Sequence, residues 1–161
     1  MNYKKLVTSL ILPQLAGIIG SLFTVSAIPL WYATLHKPSF SPPNWIFGPT
    51  WILLYILMGI SVFLVWRMLE TTIDQDKKHY TKISLCFFWI HLGFNALWSI
   101  IFFGLQNPAL AFINIIIIWV MIVILILRFW KINKWSSYLL IPYLLWVSFA
   151  SALNFAIWFL N

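Results

Sequence analysis

Apolar runs of membrane length occupy most of this chain. They cover about Leu6 to Pro29, Asn44 to Trp66, Ile83 to Gly104, Pro108 to Leu127 and Trp135 to Leu160. Each is near or above the roughly 20 residues that a helix needs to cross a bilayer. Only 8% of the residues are charged, against 63% hydrophobic. A soluble domain carries about a quarter charged residues, so these residues cannot build a water-facing surface. No run alternates as a barrel strand does, and lipid forbids open sheet edges. The expected fold is all-α: a single integral membrane domain over residues 1–161, built as a bundle of five transmembrane helices.

The first run also carries marks of a signal peptide. Lys4 and Lys5 precede it, and Val25-Ser26-Ala27 could serve as a small-residue cleavage site. Its length and the Pro13-Gln14 pair favour a retained span. Two connections are expected to be longer than the others: the Pro-rich segment after span one, and the polar segment from Arg67 to Lys82.

The net charge of +7 invites a nucleic-acid reading, which the positions of the cations argue against. Lys4, Lys5, Arg67, Lys77, Lys78, Lys82, Arg128, Lys131 and Lys134 fall on one side of a five-span chain. Lys37 alone falls on the other. The positive-inside rule then expects the N-terminus in the cytoplasm and the C-terminus outside. Lys77 and Lys78, beside Asp74 and Asp76, read as a solvated turn and not as a binding patch.

No Asp or Glu lies inside a span, which weakens a proton-driven pump reading. The intramembrane polar set is neutral: Gln14, His91, Asn95, Asn114 and Asn154, with several Ser and Thr. Helical spacing gathers His91, Asn95, Trp98 and Phe102 on one face of span three. Trp51, Tyr55, Met58 and Val62 form a matching stripe in span two. Tyr143, Trp146, Ala150 and Asn154 form one in span five. Two readings of these stripes stay open. They can be packing faces cross-linked by Asn, or walls of one aromatic pocket for a flat apolar ligand. His91 is a haem or metal candidate by residue type but has no His or Cys partner at ligand spacing, so a hydrogen-bonded bundle histidine is favoured. Cys86 is the only cysteine and forms no internal disulfide. No metal site, catalytic triad, paired carboxylates or phosphate-cradling loop is expected. Ala16 and Gly20, and Ser148, Ala152 and Ala156, form small-residue ridges for close helix contact, within one chain or between two.

One stretch organises the remainder. Lys37 to Gly59 reads KPSFSPPNWIFGPTWILLYILMG, a proline-stiffened loop running into a span. Phe40 and Trp45 give that loop apolar faces to lay against a flat ring. This stretch resembles the signature of the TspO / translocator protein family, also called tryptophan-rich sensory proteins or peripheral benzodiazepine receptors. Trp31-Tyr32 before it, Asn95-Ala96-Leu97-Trp98-Ser99 with Phe102-Phe103-Gly104, and Pro142-Tyr143-Leu144-Leu145-Trp146 extend the resemblance over nearly the whole chain.

The resemblance implies a five-helix bundle, often a homodimer, set in a bacterial cell membrane. It implies binding of porphyrin or haem, with sterols, lipids and synthetic drugs as further ligands and no required cofactor. Carried over by motif, Tyr32, Trp51, Asn95, Trp98, Pro142 and Trp146 line the pocket. Trp45, Tyr55, His91, Asn114 and Tyr138 complete the candidate set. A stress-related sensor or tetrapyrrole handler is the expected role. Light-dependent porphyrin breakdown, with Trp51 and Trp146 as redox-active indoles, is the enzymatic alternative, and transport is the other. The chain departs from relatives in having Asn114 where many have an acid, and Tyr138 where some have Trp. After Leu153 it has no Lys or Arg to complete a sterol motif.

Overall fold

A computed structural model describes residues 3–161, so the first two residues of the domain expected over 1–161 lie outside the described residues. Five helical segments long and apolar enough to cross a membrane run from Tyr3–Tyr32, Asn44–Thr71, Gln75–Gly104, Pro108–Ile132 and Lys134–Leu160. The fold is an all-α membrane bundle. Helix α1 covers Tyr3–Ala27 and widens into a π-helical turn at Ile28–Tyr32, which contains Pro29. A short 3₁₀ turn at Asn44–Ile46 leads into α2, Phe47–Thr71, with Pro49 in its first turn, where no N–H partner is required. Helix α3, Gln75–Ser99, ends in a second π turn at Ile100–Gly104. Helix α4 is Pro108–Ile132, and the last span divides into α5, Lys134–Tyr138, and α6, Ile141–Leu160.

The helix starts have visible causes. Asp74 accepts the backbone N–H groups of Asp76 and Lys77 and caps α3. Asn107 accepts from Leu110 N–H at 3.0 Å ahead of Pro108, and Asn133 accepts from Ser136 N–H at 3.2 Å. Each such cap contributes about 1 kcal/mol. The polar segment from Arg67 to Lys82 is not the long connection that its composition suggests. Only Thr72, Ile73 and Asp74 leave the helical state, because α2 and α3 run past the apolar zone and meet in a capped turn. The Pro-rich segment, by contrast, is non-helical from Leu35 to Pro43, with a turn in which Ser41 N–H donates to the Pro38 carbonyl at 3.0 Å. Its His36 N–H donates to Asn161 Oδ1 at 2.9 Å, and Asn161 Nδ2 donates to the His36 carbonyl at 3.0 Å. The last residue therefore fastens the loop.

Two packed clusters divide the bundle lengthwise. Met58, Val62, Val65, Phe88, Ile122, Phe129 and Tyr143 are fully buried in the larger one. Tyr32, Ile101, Phe102, Ala111, Leu153 and Ile157 form the smaller one near the Pro-rich loop. Lipid tails are as apolar as these side chains, so close packing and interhelical hydrogen bonds hold the helices together. The Ala16–Gly20 ridge serves contacts within the chain: Ala16 is buried, and a Cβ on Gly20 would meet Ser99 Oγ at 2.8 Å. Ser148 and Ala152 face outward. Apart from Lys37, which lies over Tyr32 beside the Pro-rich loop, the described cations gather at the other end of the bundle. Lys5 pairs with Glu70 at 2.7 Å and lies over Trp66, Arg128 lies over Tyr80, and Lys134 lies over Trp130.

Candidate functional site

Between the two clusters lies a cavity of about 520 Å³. It sits beneath the Pro-rich loop and is walled by α1, α2, α3 and α6, with Ile115 and Ile118 of α4 behind it. Its size falls in the range of small-molecule sites, roughly 300–1,000 Å³. Indole rings from three helices form much of the wall. Trp51 stacks on Tyr55 at 5.4 Å, Trp98 stacks on Phe102 at 5.1 Å, and Trp146 meets Phe47 edge-on at 5.9 Å. Helix α1 flanks the fourth side, approaching its neighbours through small residues. Gly17 lies against the Tyr55 ring, where a Cβ would collide, and Gly20 lies against Ser99.

The lining contains no Asp, Glu, Lys or Arg. Its polar groups are neutral and mostly occupied. Trp98 Nε1–H donates to Asn154 Oδ1 at 3.0 Å, while Asn154 Nδ2 donates to the Pro108 carbonyl at 2.8 Å. Gln14 Nε2 donates to the Ile52 carbonyl at 3.2 Å, tying α1 to α2. Tyr55 O–H donates to Asn95 Oδ1 at 2.6 Å. The buried Nε1–H of Trp146 has no acceptor among the described residues. Such a site accepts flat apolar surface by stacking and offers a few N–H donors to an acceptor on its ligand.

The mouth of the cavity is lateral. Its exposed lining residues are Ile18, Ser21 and Val25 on α1, with Asn44, Trp45, Gly48 and Ile52 at the start of α2. The lining residues from α3, α4 and α6 are buried or half-buried. Ile18 lies midway along a 30-residue span, so the crevice opens at bilayer depth as well as beneath the loop.

Of the residues singled out in the sequence, the structure brings Tyr32, Trp45, Trp51, Tyr55, Asn95, Trp98 and Trp146 to this wall. It places His91, Asn114, Tyr138 and Pro142 elsewhere. His91 is fully buried below the cavity, with Nε2 at 3.0 Å from Tyr143 Oη. Asn114 Nδ2 donates to the Phe94 carbonyl at 3.1 Å, a cross-link between α4 and α3. Tyr138 is exposed at the cation-rich end, edge-on to Trp130 and Trp135. Pro142 is exposed in the first turn of α6, where it shapes the break after α5. His91, Tyr138 and Pro142 sit at a different depth from the lining residues of their spans, whereas Asn114, next to the lining residue Ile115, is turned toward α3. The α1 wall and Asn154 were missed as site residues. The signal for α1 was its Gly17-Gly20 pair beside Gln14, and for Asn154 its place four residues after Ala150 in the span-five stripe.

Comparison with known proteins fits this arrangement. A sequence model described as the TspO/MBR family matches residues 9–159. The chain belongs to the TspO/MBR family. It is 45% identical to the tryptophan-rich protein TspO of Archaeoglobus fulgidus over 161 residues, covering 100% of this chain and 99% of that one. It is 31% identical to the tryptophan-rich sensory protein of Cereibacter sphaeroides, over 81% of this chain and 77% of the relative. It is also 31% identical to the translocator protein of Homo sapiens, over 91% of this chain and 83% of that protein. The TspO/MBR match spans every helix that contributes to the cavity. Among the described residues no group of three or more His, Cys, Asp or Glu side chains is placed to hold a metal ion.

Proposed function

We propose that this TspO/MBR protein binds a planar, largely apolar ligand of the porphyrin class in the cavity beneath its Pro-rich loop, and serves as a stress-related sensor or handler of tetrapyrroles. The observation that carries this reading is the wall itself: stacked indole and phenol rings, neutral polar groups and no charge, around about 520 Å³. A porphyrin ring fits that chemistry. The lining contains no His, Cys or Met to ligate haem iron, and its Tyr55 hydroxyl is committed to Asn95 Oδ1. Recognition of haem then rests chiefly on the ring and its substituents, with the Tyr32 phenol the remaining side chain of an iron-ligating type. Homodimeric assembly belongs to the same reading, and crosslinking in bilayers tests it.

Titration of the bilayer-embedded protein with protoporphyrin IX, haem and a linear tetrapyrrole, followed by quenching of Trp fluorescence, tests the assignment. Saturable quenching by the cyclic rings is the expected result, with haem gaining no more than about tenfold over the metal-free ring. Linear, unsaturable quenching throughout would remove the reading. The unpartnered Trp146 Nε1–H and the nearby Trp51 favour one further role, light-dependent breakdown of the bound porphyrin. Illumination of the complex in air, with dioxygen as the oxidant that opens the ring, should then produce a new bilin-like absorption, and the same illumination without oxygen should not.

The cation-rich end is assigned to the cytoplasm and the Pro-rich loop to the outside, which places both the cavity's loop side and Asn161 outside. Cysteines introduced at Ser39 and Thr72 should label from opposite sides of intact cells, with Ser39 reached from outside. Labelling of both from one side would reject this orientation.

A further inference from the structure

A chain of four side chains runs from the cavity into the sealed part of the bundle. Tyr55 O–H donates to Asn95 Oδ1 at 2.6 Å, Asn95 Nδ2 donates to Tyr143 Oη at 2.8 Å, and Tyr143 Oη lies 3.0 Å from His91 Nε2. Tyr55 and Asn95 line the cavity, whereas Tyr143 and His91 do not. His91 and Tyr143 are 0% exposed, and His91 Nδ1 has no partner among the described residues.

The hydrogens in this chain can be placed by elimination. A 2.6 Å contact suits O–H···O and is short for N–H···O, so the amide oxygen of Asn95 faces Tyr55. The amide nitrogen then faces Tyr143, whose oxygen accepts its hydrogen. A neutral imidazole has one donor and one acceptor nitrogen. If Nε2 carried the hydrogen, Tyr143 Oη would receive two donors and its own hydrogen would have no acceptor. The bare Nδ1 would also be left unpaired. If Nε2 is the acceptor, Tyr143 donates to it, and only Nδ1–H is left without a partner. Fewer buried orphans favour the second arrangement. All donors then point one way, from Tyr55 toward His91.

We infer that His91 is a positioning residue for the cavity: as the terminal acceptor of this chain it fixes the Asn95 amide so that the second Nδ2 hydrogen is held for an acceptor atom on the ligand. The inference rests on the reading of the cavity as a porphyrin-class site. Without an acceptor at position 91, Tyr143 must turn its hydrogen elsewhere. Its best remaining acceptor is Asn95 Oδ1, which requires the amide to flip; Nδ2 then gives one hydrogen to Tyr55 Oη, and its second hydrogen leaves the position from which it meets a ligand's carbonyl. Ligands that carry a carbonyl acceptor should then lose affinity, while ligands held by stacking alone should not.

The test compares two uncharged porphyrins on the full chain in lipid nanodiscs. Protoporphyrin IX dimethyl ester carries ester carbonyls, and etioporphyrin carries only alkyl groups. The wild-type protein should prefer the ester. His91→Leu should shrink that preference by about tenfold while leaving etioporphyrin affinity unchanged. His91→Gln, which restores an acceptor oxygen, should recover the preference. Equal losses for both porphyrins in His91→Leu, or an unchanged ratio, would overturn the inference and make His91 a packing residue. If the wild-type protein binds neither porphyrin, the reading of the cavity fails, and a ligand-free measurement still decides the role of His91. Nitrogen-15 NMR of histidine-labelled protein, with the His91 signal identified by its loss in His91→Gln, should show the hydrogen on Nδ1. A hydrogen on Nε2 would reverse the chain and overturn the inference.

Discussion

Gly59→Leu is expected to separate α1 from α2 and to lower the thermal midpoint of the bundle more than any other single change considered. A Cβ at Gly59 would meet the Ser9 carbonyl oxygen at 2.7 Å and Leu10 Cα at 3.0 Å. Both are backbone atoms, so no rotamer change relieves the contact, and the helices themselves must move apart. Helix propensity acts in the opposite direction. Replacing an interior Gly by Ala gains up to about 1 kcal/mol. Overpacking of this kind costs about 1–3 kcal/mol, and in a bilayer no hydrophobic drive re-seats the helices. Gly59→Ala should therefore be mildly destabilising, and Gly59→Leu severely so. Gly93 supplies the contrast, because a Cβ there meets nothing within 4 Å. Gly93→Ala should raise the midpoint. Parallel melts of the three variants in nanodiscs measure this, and a Gly59→Ala protein as stable as Gly93→Ala would show that the α1–α2 contact yields freely.

Trp51→Ala is expected to weaken porphyrin affinity by about 1–3 kcal/mol, the value of one indole's buried area and stacking. That corresponds to about 5-fold to 150-fold in Kd. Trp51 stacks on Tyr55 at 5.4 Å and meets Tyr143 edge-on at 6.2 Å, so its removal opens the wall where the polar chain begins. Trp51→Phe keeps a ring in the same place and should recover most of the loss. The protein has 11 Trp, so the quenching signal survives the substitution. Unchanged affinity in a well-folded Trp51→Ala protein would remove this residue from the site.

The five spans were legible because lipid leaves helices as the only architecture for runs of this length and composition. Their ends were not. Hydropathy reports the thickness of the apolar zone, whereas α3 begins at Gln75 because Asp74 caps it in water. Helical periodicity likewise identified the inward faces. It could not say where along a face a cavity gives way to packed core. Trp51 and Tyr55 line the cavity, while Met58 and Val62 on the same stripe are 0% exposed. Asn95 and Trp98 line it, and His91, one turn earlier, is sealed below. Depth depends on how far five helices approach one another. That distance is set by contacts such as Gly17 against Tyr55, which lie far apart in sequence.

The side opening between α1 and α2 changes the unit in which binding is counted. Under the proposed ligand binding, a site whose rim includes the exposed Ile18, Val25 and Ile52 would exchange its contents with the membrane phase. The concentration it samples is then moles of ligand per mole of lipid, not moles per litre of water. Diluting a fixed amount of an oily ligand into more bilayer empties the site even when the aqueous volume is constant. Two ligands that fit the cavity equally well will differ in apparent aqueous affinity by the ratio of their partition coefficients. For such a protein the bilayer acts as a reservoir, and the amount of membrane in a cell sets the occupancy of the cavity alongside the amount of ligand.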